Sequence, residues 1–322
     1  MRVLVTGSSG CIGAWTVKQL LDRGIEVLCY DMEADLSRLR LISAHATSPK
    51  LAVETGKIED TARVKALIKD GGITHVIHLA AVLMPFCQAN PVSGGVIDVI
   101  GTLNVFEGAR DAGRPVRVVY ASSSAVWGPE EEYGARTLSE SDHLLPGTHY
   151  GVFKQANEGN ARIFYSASGI SSVGLRPWTV YGVGRDRGLT ADPTLAMKAA
   201  VLGVPFQIRV SGHMDLQYVE DVAETFVRCG LSDLAGAHVF NLAGTIVKME
   251  DLVAMIDRAH PGAGKLLSVG GPQVPVSFRM DASALHKSIP GIPNTGLEDG
   301  IRQTVERFAA LKSRGELTST LG

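Results

Sequence analysis

Tyr150 and Lys154 are the residues of this chain whose types and spacing point most directly to chemistry. They are four positions apart, and on a helix that spacing puts both side chains on one face. An ammonium group beside a phenol favours the phenolate, so the tyrosine could exchange a proton with an alcohol or ketone near neutral pH. The same spacing also arises by chance on an ordinary helix surface, so the rest of the chain must decide.

A glycine-rich loop, TGSSGCIG, occupies residues 6–13 between a short apolar run and a helical pattern. Its three glycines permit a tight turn, close approach of a pyrophosphate to backbone N–H groups, and close packing of helix on strand. The N-terminus of the helix itself attracts phosphate charge. The loop therefore predicts a dinucleotide site, and we expect these residues to contact the cofactor: Gly7, Gly10, Cys11, Ile12 and Gly13.

Asp31 ends the second apolar run and indicates which dinucleotide binds. A carboxylate there can accept hydrogen bonds from the ribose hydroxyls of NAD and repels the 2′-phosphate of NADP. NAD is therefore favoured, but NADP is not excluded because Arg38 and Arg40 lie nearby and could bind a phosphate. The alternative interpretation of Asp31 is a turn residue or a helix cap.

Short apolar runs alternate with helical patterns through the first half of the chain. This alternation predicts a parallel sheet covered on both faces, and the glycine loop selects its dinucleotide-binding form, a doubly wound Rossmann α/β fold. We expect residues 1–177 to form this domain, including the catalytic residues, and residues 178–322 to form mainly a smaller substrate-binding lobe, some segments of which could return to the main sheet. Strands are predicted at 2–6, 25–30, 51–54, 74–79, 116–121 and 171–176, and helices at 11–23, 36–45, 60–70, 92–113, 149–168, 193–202, 219–230, 248–259, 281–287 and 297–312.

The composition of the chain limits the kinds of molecule that we expect it to bind. The chain has 322 residues, a formal net charge of -2 and no Lys/Arg-rich run, which argues against nucleic acid and anionic membranes. No apolar run reaches about 18 residues, so we expect no membrane span. The chain starts directly in an apolar run without a charged leader, and its cysteines lack metal-ligand spacing, so we expect a cytoplasmic protein with free thiols and no metal site. The cysteines are Cys11, Cys29, Cys87 and Cys229.

Seven short motifs follow one another in an order that resembles the extended (atypical) short-chain dehydrogenase/reductase family, which includes NAD-dependent epimerases and dehydratases. The resemblance runs from residue 1 to roughly 310 and is strongest in the first 182 residues and in the stretch 215–223. The motifs are TGSSGCIG (6–13), HLAA (78–81), GTLNV (101–105), ASSSAVWG (121–128), YGVFK (150–154), LRPWTVYG (175–182) and DLQYVEDVA (215–223).

This resemblance implies catalytic roles for three residues. Ser123 would polarise the substrate oxygen, Tyr150 would be the general acid/base, and Lys154 would tune the tyrosine. The run of three serines leaves Ser124 as an alternative to Ser123. The serine and tyrosine hydroxyls must both reach one reacting oxygen while hydride moves to or from the nicotinamide.

The resemblance also implies further cofactor contacts and an assembly. Lys154 and Tyr150 would border the nicotinamide ribose, and Leu79, Ala80 and Ala81 would flank the nicotinamide side, while Ile58 would form an apolar wall at the adenine. Members of the family commonly dimerise through the helices placed here at 92–113 and 149–168, so we expect a homodimer.

Several residues depart from the family pattern. Dehydratases place acidic residues directly after the catalytic hydroxyl, whereas this chain has Ser124 and Ala125, which argues against elimination chemistry. Nucleotide-sugar enzymes usually carry an arginine where this chain has Met214, and a second arginine near residues 271–273 is also missing. These losses argue against a UDP- or dTDP-sugar. Four other arginines could approach from elsewhere: Arg185, Arg187, Arg209 and Arg279.

The main functional prediction is an NAD-dependent oxidoreductase that interconverts a secondary alcohol and a ketone on a small polyhydroxy or hydroxy-acid substrate. The segment Arg185-Asp186-Arg187 could meet an anionic substrate, or it could be a solvated charge cluster. The alternative function is an NAD-retaining epimerase of a sugar or nucleotide sugar. A non-catalytic dinucleotide sensor is a third possibility, against which the Ser/Tyr/Lys set argues.

Overall fold

The apolar runs form strands close to their predicted bounds. The computed structural model describes residues 1–321. In chain order its strands are β1 (Arg2–Thr6), β2 (Glu26–Asp31), β3 (Leu51–Thr55), β4 (His75–His78), β5 (Arg117–Ala121), β6 (Ser172–Arg176), β7 (Thr179–Tyr181), β8 (Phe206–Ile208), β9 (His213–Tyr218), β10 (Ala237–Asn241), β11 (Thr245–Lys248) and β12 (Leu267–Val269).

The helices also follow the prediction, with two differences. A short helix at 84–89 was not predicted, and the predicted helix 92–113 is interrupted by a π-helical turn at Val96–Ile100. The helices are α1 (Cys11–Asp22), α2 (Ser37–Ile42), α3 (Thr61–Asp70), α4 (Met84–Ala89), α5 (Pro91–Gly95), α6 (Gly101–Asp111), α7 (His149–Ser168), α8 (Asp192–Leu202), α9 (Val219–Leu231), α10 (Met249–Ala259), α11 (Ser283–Ser288) and α12 (Leu297–Ser313).

Seven parallel strands form the main sheet in the order β10-β6-β5-β4-β1-β2-β3. The register aligns their carboxyl ends, since Thr6 lies opposite both Tyr30 and His78. The order runs outward in both directions from β1, which confirms the predicted doubly wound Rossmann fold. Ligands of such sheets bind at the carboxyl ends of the strands, where the order reverses.

The second half of the chain adds a strand to the main sheet and a helix that packs beside it. Strand β10 pairs with β6 as the seventh strand of the main sheet, and α9 packs against α1. The other strands form a three-stranded sheet, β11-β9-β7, and a separate pair, β12-β8. One apolar core joins residues of the first half, such as Trp15, to residues of the second, such as Phe226 and Ile301. The boundary at 177/178 therefore marks a change of pattern rather than two independent cores.

A buried histidine links the centre of the sheet to α6. Thr102 donates its hydroxyl proton to the Asp98 carbonyl oxygen at 2.7 Å, so it accepts from His78 Nε2 at 3.0 Å. His78 Nδ1 then accepts from the Thr6 hydroxyl at 2.7 Å. Burial, helped by the charge of Lys154, lowers the pKa of His78 to about 3, so the ring is neutral in the folded protein.

His78 makes folding stability depend on pH. In the unfolded chain the imidazole binds a proton below its ordinary pKa near 6.5, whereas the folded protein does not until about 3, so stability is lost as pH falls through this window, by up to ~5 kcal/mol. We expect His78→Gln to lower the free energy of unfolding at pH 7 and to flatten its decline between pH 6.5 and 4.5 in urea titrations. Exposed His143→Gln is the control; an unchanged slope in His78→Gln would contradict the assignment.

Three further features concern membrane spans, cysteines and metal sites. Among residues 1–321, no helix combines the length and apolar character needed to cross a bilayer. All four cysteines are unpaired, and three of them are buried. The same described residues contain no group of three His, Cys, Asp or Glu side chains placed to hold a metal ion.

Candidate active site

The glycine loop packs tightly between β1, α1 and the segment after β4. Gly7 has a φ of +70°, and a Cβ there would lie 2.6 Å from the backbone nitrogen of Ala80. A Cβ on Gly13 would lie 2.2 Å from the Gly7 carbonyl oxygen. The N-cap of α1 is Gly10, which has no side chain to satisfy the first N–H groups of the helix. The first turn, from Cys11 through Ile12 to Gly13, thus offers backbone donors to a pyrophosphate.

Asp31 lies beside this loop at the carboxyl end of β2. Its Oδ2 accepts a hydrogen bond from Ser9 N at 2.9 Å and its Oδ1 from Met32 N at 2.8 Å. Each carboxylate oxygen can accept a second hydrogen bond, so ribose hydroxyls could be bound as well. Of the two nearby arginines, Arg38 is held by other contacts, and Arg40 is exposed.

The remaining predicted cofactor residues border the same edge of the sheet. Ile58 is buried after β3 and accepts a hydrogen bond at its carbonyl oxygen from Asn104 Nδ2 at 3.0 Å. Leu79, Ala80 and Ala81 follow β4 and line its carboxyl end. Leu79 N donates to the Thr6 carbonyl at 3.0 Å, which holds this segment beside the glycine loop. Together these residues fit a dinucleotide: α1 and the loop would hold its phosphates, and Asp31 its ribose.

The serine run forms a tight turn at the carboxyl end of β5. Ser123 and Ser124 are both buried. Ser123 Oγ accepts a hydrogen bond from Ala125 N at 3.1 Å, and Ser124 N donates to the Pro177 carbonyl oxygen at 3.0 Å. These bonds fix the turn, but they do not distinguish the two serines as the one that meets the substrate.

Tyr150 and Lys154 lie on one face of α7, as their spacing predicts. Thr148 caps the helix by accepting from Gly151 N at 3.1 Å. Lys154 is buried, its Nζ lies 5.4 Å from the centre of the Tyr150 ring, and it donates to the Ala121 carbonyl oxygen at 2.9 Å. The half-buried Tyr150 hydroxyl has no hydrogen-bond partner among residues 1–321. The tyrosine is therefore available to a ligand, and its lysine is anchored to the end of β5.

Comparison with known proteins identifies the family. A model of the NAD-dependent epimerase/dehydratase family matches residues 3–243. The chain belongs to this family.

The UDP-glucuronate 4-epimerase 3 of Arabidopsis thaliana is 33% identical over 341 residues, which cover 98% of this chain and 78% of that enzyme. The solved structure of Thermus thermophilus UDP-glucose 4-epimerase with NAD is 26% identical, covers 96% of this chain and 99% of its own, and has a TM-score of 0.78. MoeE5 with UDP-glucuronic acid and NAD is 26% identical, with 98% and 100% covered and a TM-score of 0.80.

Membership of the NAD-dependent epimerase/dehydratase family confirms the resemblance read from the seven motifs, the enzyme class in its coarse form, and NAD as the cofactor of the family. The relatives named above are epimerases or bind nucleotide sugars, so the epimerase alternative fits better than the main prediction of a dehydrogenase. The roles of Ser123, Tyr150 and Lys154, and of the cofactor-contacting residues, stay predictions.

A buried ion pair holds α7, the helix that carries Tyr150 and Lys154, against the sheet. Glu158 lies one turn beyond Lys154 and accepts two hydrogen bonds from Arg176, at 2.8 and 2.7 Å. Ser122 also donates to Glu158 at 2.5 Å. Arg176 belongs to the LRPWTVYG motif, and the structure places it in this ion pair. Glu158 was missed, although its spacing of four residues from Lys154 indicates the same helix face.

Asp98 lies buried in the π-helical turn on the other side of Lys154. Its Oδ1 accepts from Val82 N at 2.8 Å, and its carbonyl oxygen accepts from Asn157 Nδ2 at 2.9 Å. Burial raises the pKa of the Asp98 carboxyl, whereas the charge of Lys154 and the Val82 hydrogen bond oppose that rise. The lysine is thus hydrogen-bonded to the end of β5, and its charge acts on the Asp98 carboxyl.

The arginines proposed as substitutes at a diphosphate site are mostly engaged elsewhere. Arg209 pairs with Asp192 at 2.6 Å, and Arg279 pairs with Glu130 at 2.7 Å. Arg185 donates to the Thr190 hydroxyl at 2.8 Å. Met214 is fully buried in β9, and Arg187 is exposed.

Gly151 determines how closely α7 approaches the serine turn. A Cβ at this position would lie 2.0 Å from the Ala125 carbonyl oxygen and 2.8 Å from Pro146 Cβ. Backbone contacts this short cannot be relieved by a side-chain rotation. The helix end that carries Tyr150 therefore requires glycine to reach its distance from Ser123 and Ser124.

We expect Gly151→Ala to displace the start of α7 and to lower kcat by at least about tenfold, since a shift near 1 Å at the reacting groups is enough for a larger loss. Gly159→Ala is the matched control, because it lies on the same helix with only Arg162 Nη2, at 3.9 Å, near its added Cβ. The control should be neutral or stabilising, since alanine is the better helix former by about 1 kcal/mol. Turnover assays give the kcat of both variants, and thermal melts compare their stability. Equal kcat values for the two variants would contradict the role of Gly151.

Proposed function

We propose that this protein is an NAD-retaining sugar epimerase, which oxidises a secondary alcohol of a sugar nucleotide to a ketone and reduces it again from the opposite face. The observation that carries the proposal is one tyrosine, Tyr150, paired with Lys154 and beside a serine turn whose next residue, Ala125, is not acidic. Such a set serves oxidation and reduction at one carbon but not elimination. Full-length similarity to 4-epimerases supports the same function.

The chain's own residues would divide the work as follows. Tyr150 would take the hydroxyl proton as the alcohol is oxidised and return it to the ketone oxygen on reduction. Ser123 would donate a hydrogen bond to that oxygen, and Lys154 would hold its charge beside the tyrosine ring, 5.4 Å from its centre. Bound NAD supplies the acceptor and later the donor of hydride.

The substrate class is proposed from the relatives, whose names specify UDP-glucuronate and UDP-glucose. One observation favours a second candidate function, the dehydrogenation of an alcohol that carries no nucleotide. Met214 is buried where nucleotide-sugar enzymes usually have an arginine, and Arg209 and Arg279 are paired with acidic residues. The two functions differ in whether NADH accumulates.

The test is a panel of UDP-sugars, free sugars, sugar acids and hydroxy acids, followed by absorbance at 340 nm and by chromatography of the sugar. The proposal expects interconversion of two UDP-sugar epimers without net NADH. Accumulation of NADH with a nucleotide-free alcohol would overturn it in favour of the second candidate.

Substitution of the tyrosine tests the mechanism. We expect Tyr150→Phe to lower kcat by about 10²–10⁴-fold, since the phenyl ring fills the same space but cannot transfer a proton. Tyr165→Phe is the control, because Tyr165 is an exposed residue of the same helix. Full turnover in Tyr150→Phe would refute the acid/base assignment.

We also propose a homodimer formed through α5–α6 and α7. Val92, Val96 and Ile100 recur every four residues along the first segment and are exposed, and Val92 is 81% exposed. Val152 and Ile163 are exposed about three turns apart on α7, where Ile163 is 66% exposed. The π-helical turn and α6 pack beside α7, so these side chains form neighbouring apolar stripes suited to a second copy.

Sedimentation analysis tests the dimer. We expect Ile163→Glu to shift the protein to a monomer, because two charged groups would be buried in the interface. Ile246→Glu is the control, since Ile246 is 40% exposed on β11, outside the two helices. A wild-type monomer, or a dimer that survives Ile163→Glu, would refute this interface.

A further inference from the structure

We propose that Arg38 and Asp186 form a latch that slows the release of NAD. The segment 182–188, here called the strap, leaves the end of β7 and carries the Arg185-Asp186-Arg187 cluster. The latch fastens the strap to the glycine loop. The inference rests on the proposed function in one respect: an enzyme that retains its cofactor needs a slow release.

The strap is fastened to α1 at its start. Trp15 Nε1 donates to the Val183 carbonyl oxygen at 2.9 Å, and Trp15 is a fully buried residue of α1. Gly184 is also buried, with a φ of +95°. A Cβ on Gly184 would lie 3.7 Å from Cys11 Sγ and 3.6 Å from Arg38 Cδ. The strap therefore packs on the first residue of α1, where the helix would meet a pyrophosphate.

Arg38 joins the strap to the glycine loop through all three of its guanidinium nitrogens. Nε donates to the Gly184 carbonyl oxygen at 3.0 Å, and one terminal nitrogen donates to the Ser9 carbonyl oxygen at 2.7 Å. The other terminal nitrogen pairs with the Asp186 carboxylate at 2.6 Å. The Arg38 side chain is only 12% exposed, so this pair is screened less than a surface ion pair.

This use of Arg38 revises its predicted role. The sequence left it as a possible ligand of a 2′-phosphate, but such a phosphate would have to replace bonds to Ser9, Gly184 or Asp186. Two of these acceptors belong to the strap and one to the glycine loop. The side chain is therefore placed to hold two parts of the chain together.

The other end of the strap reaches the nicotinamide side of the predicted cofactor site. A Cβ on Gly188 would lie 3.6 Å from Leu83 Cδ1, and Leu83 is two residues beyond Ala81. The strap thus lies beside Cys11 of the glycine loop and, at Gly188, beside Leu83, which follows the segment predicted to flank the nicotinamide. Release of a molecule bound along these segments would be slowed by a fastened strap and accelerated by a loose one.

The experiment measures the release of NADH without any sugar substrate. The full-length protein is loaded with NADH and mixed rapidly with excess NAD, and the fluorescence of bound NADH is followed. We expect Asp186→Ala and Arg38→Ala each to release NADH at least about tenfold faster than the wild type. Because Asp186 is joined to the latch only through Arg38, Asp186→Ala should have little further effect in the Arg38→Ala background.

Arg187→Ala and Arg40→Ala are the matched controls, since Arg187 is an exposed strap residue and Arg40 an exposed residue two positions from Arg38. Asp186 is 44% exposed, so Asp186→Ala should fold even if Arg38→Ala does not. Release from Asp186→Ala at the rate of Arg187→Ala would overturn the latch. Slow, Asp186-dependent release in a protein that epimerises no sugar would support the latch and refute only the proposed function.

Discussion

The candidate site depends on one buried ion pair, between Glu158 of α7 and Arg176 at the end of β6. Both side chains are almost fully buried, and the carboxylate also accepts a hydrogen bond from Ser122. Removing one partner of such a pair typically costs about 3–5 kcal/mol, because the other charge is left buried and unpaired. The pair therefore holds α7 in a single position relative to the serine turn, which Ser122 begins.

Two further contacts act on the same helix from its other turns. Lys154 bonds to the carbonyl oxygen of the last residue of β5, and Gly151 lets the backbone of α7 approach the Ala125 carbonyl oxygen. Together with Glu158, these residues are spaced along successive turns, so rotation or sliding of α7 would break all three contacts. Tyr150 has no hydrogen-bond partner among residues 1–321, but its neighbours fix its place.

Much of the fold was predictable because its signals are local. The strands of the first half contain short apolar runs, and each of its longer helices has its own periodicity. The glycine loop and the Tyr150–Lys154 spacing are local signals too, and they predict the two ends of the candidate site. Strand β10 was harder, since residues 237–241 pair with β6 only through a contact more than 60 residues away in sequence. The π-helical turn was also not predicted. Asp98 in this turn is bonded to residues of other elements, and a local sequence pattern does not indicate such contacts.

Two arginines of the candidate site make contacts that no local sequence pattern predicts. Arg38 was noted in the sequence and Arg176 lies in one of its motifs, yet their partners Asp186 and Glu158 lie 148 and 18 residues away. An arginine fork accepts a carboxylate of the protein as readily as a phosphate of a ligand, so residue type alone does not distinguish the two. The same reasoning applies to Met214, which is evidence against a nucleotide sugar. A missing arginine removes one way to bind a diphosphate, but another arginine near the site could bind it unless that arginine is already paired with an acidic residue of the protein. Arg187 is the strap arginine that stays exposed. In the proposed function, both a sugar nucleotide and a smaller alcohol would use Ser123, Tyr150 and Lys154 alike, so the choice between them depends more on cations of this kind.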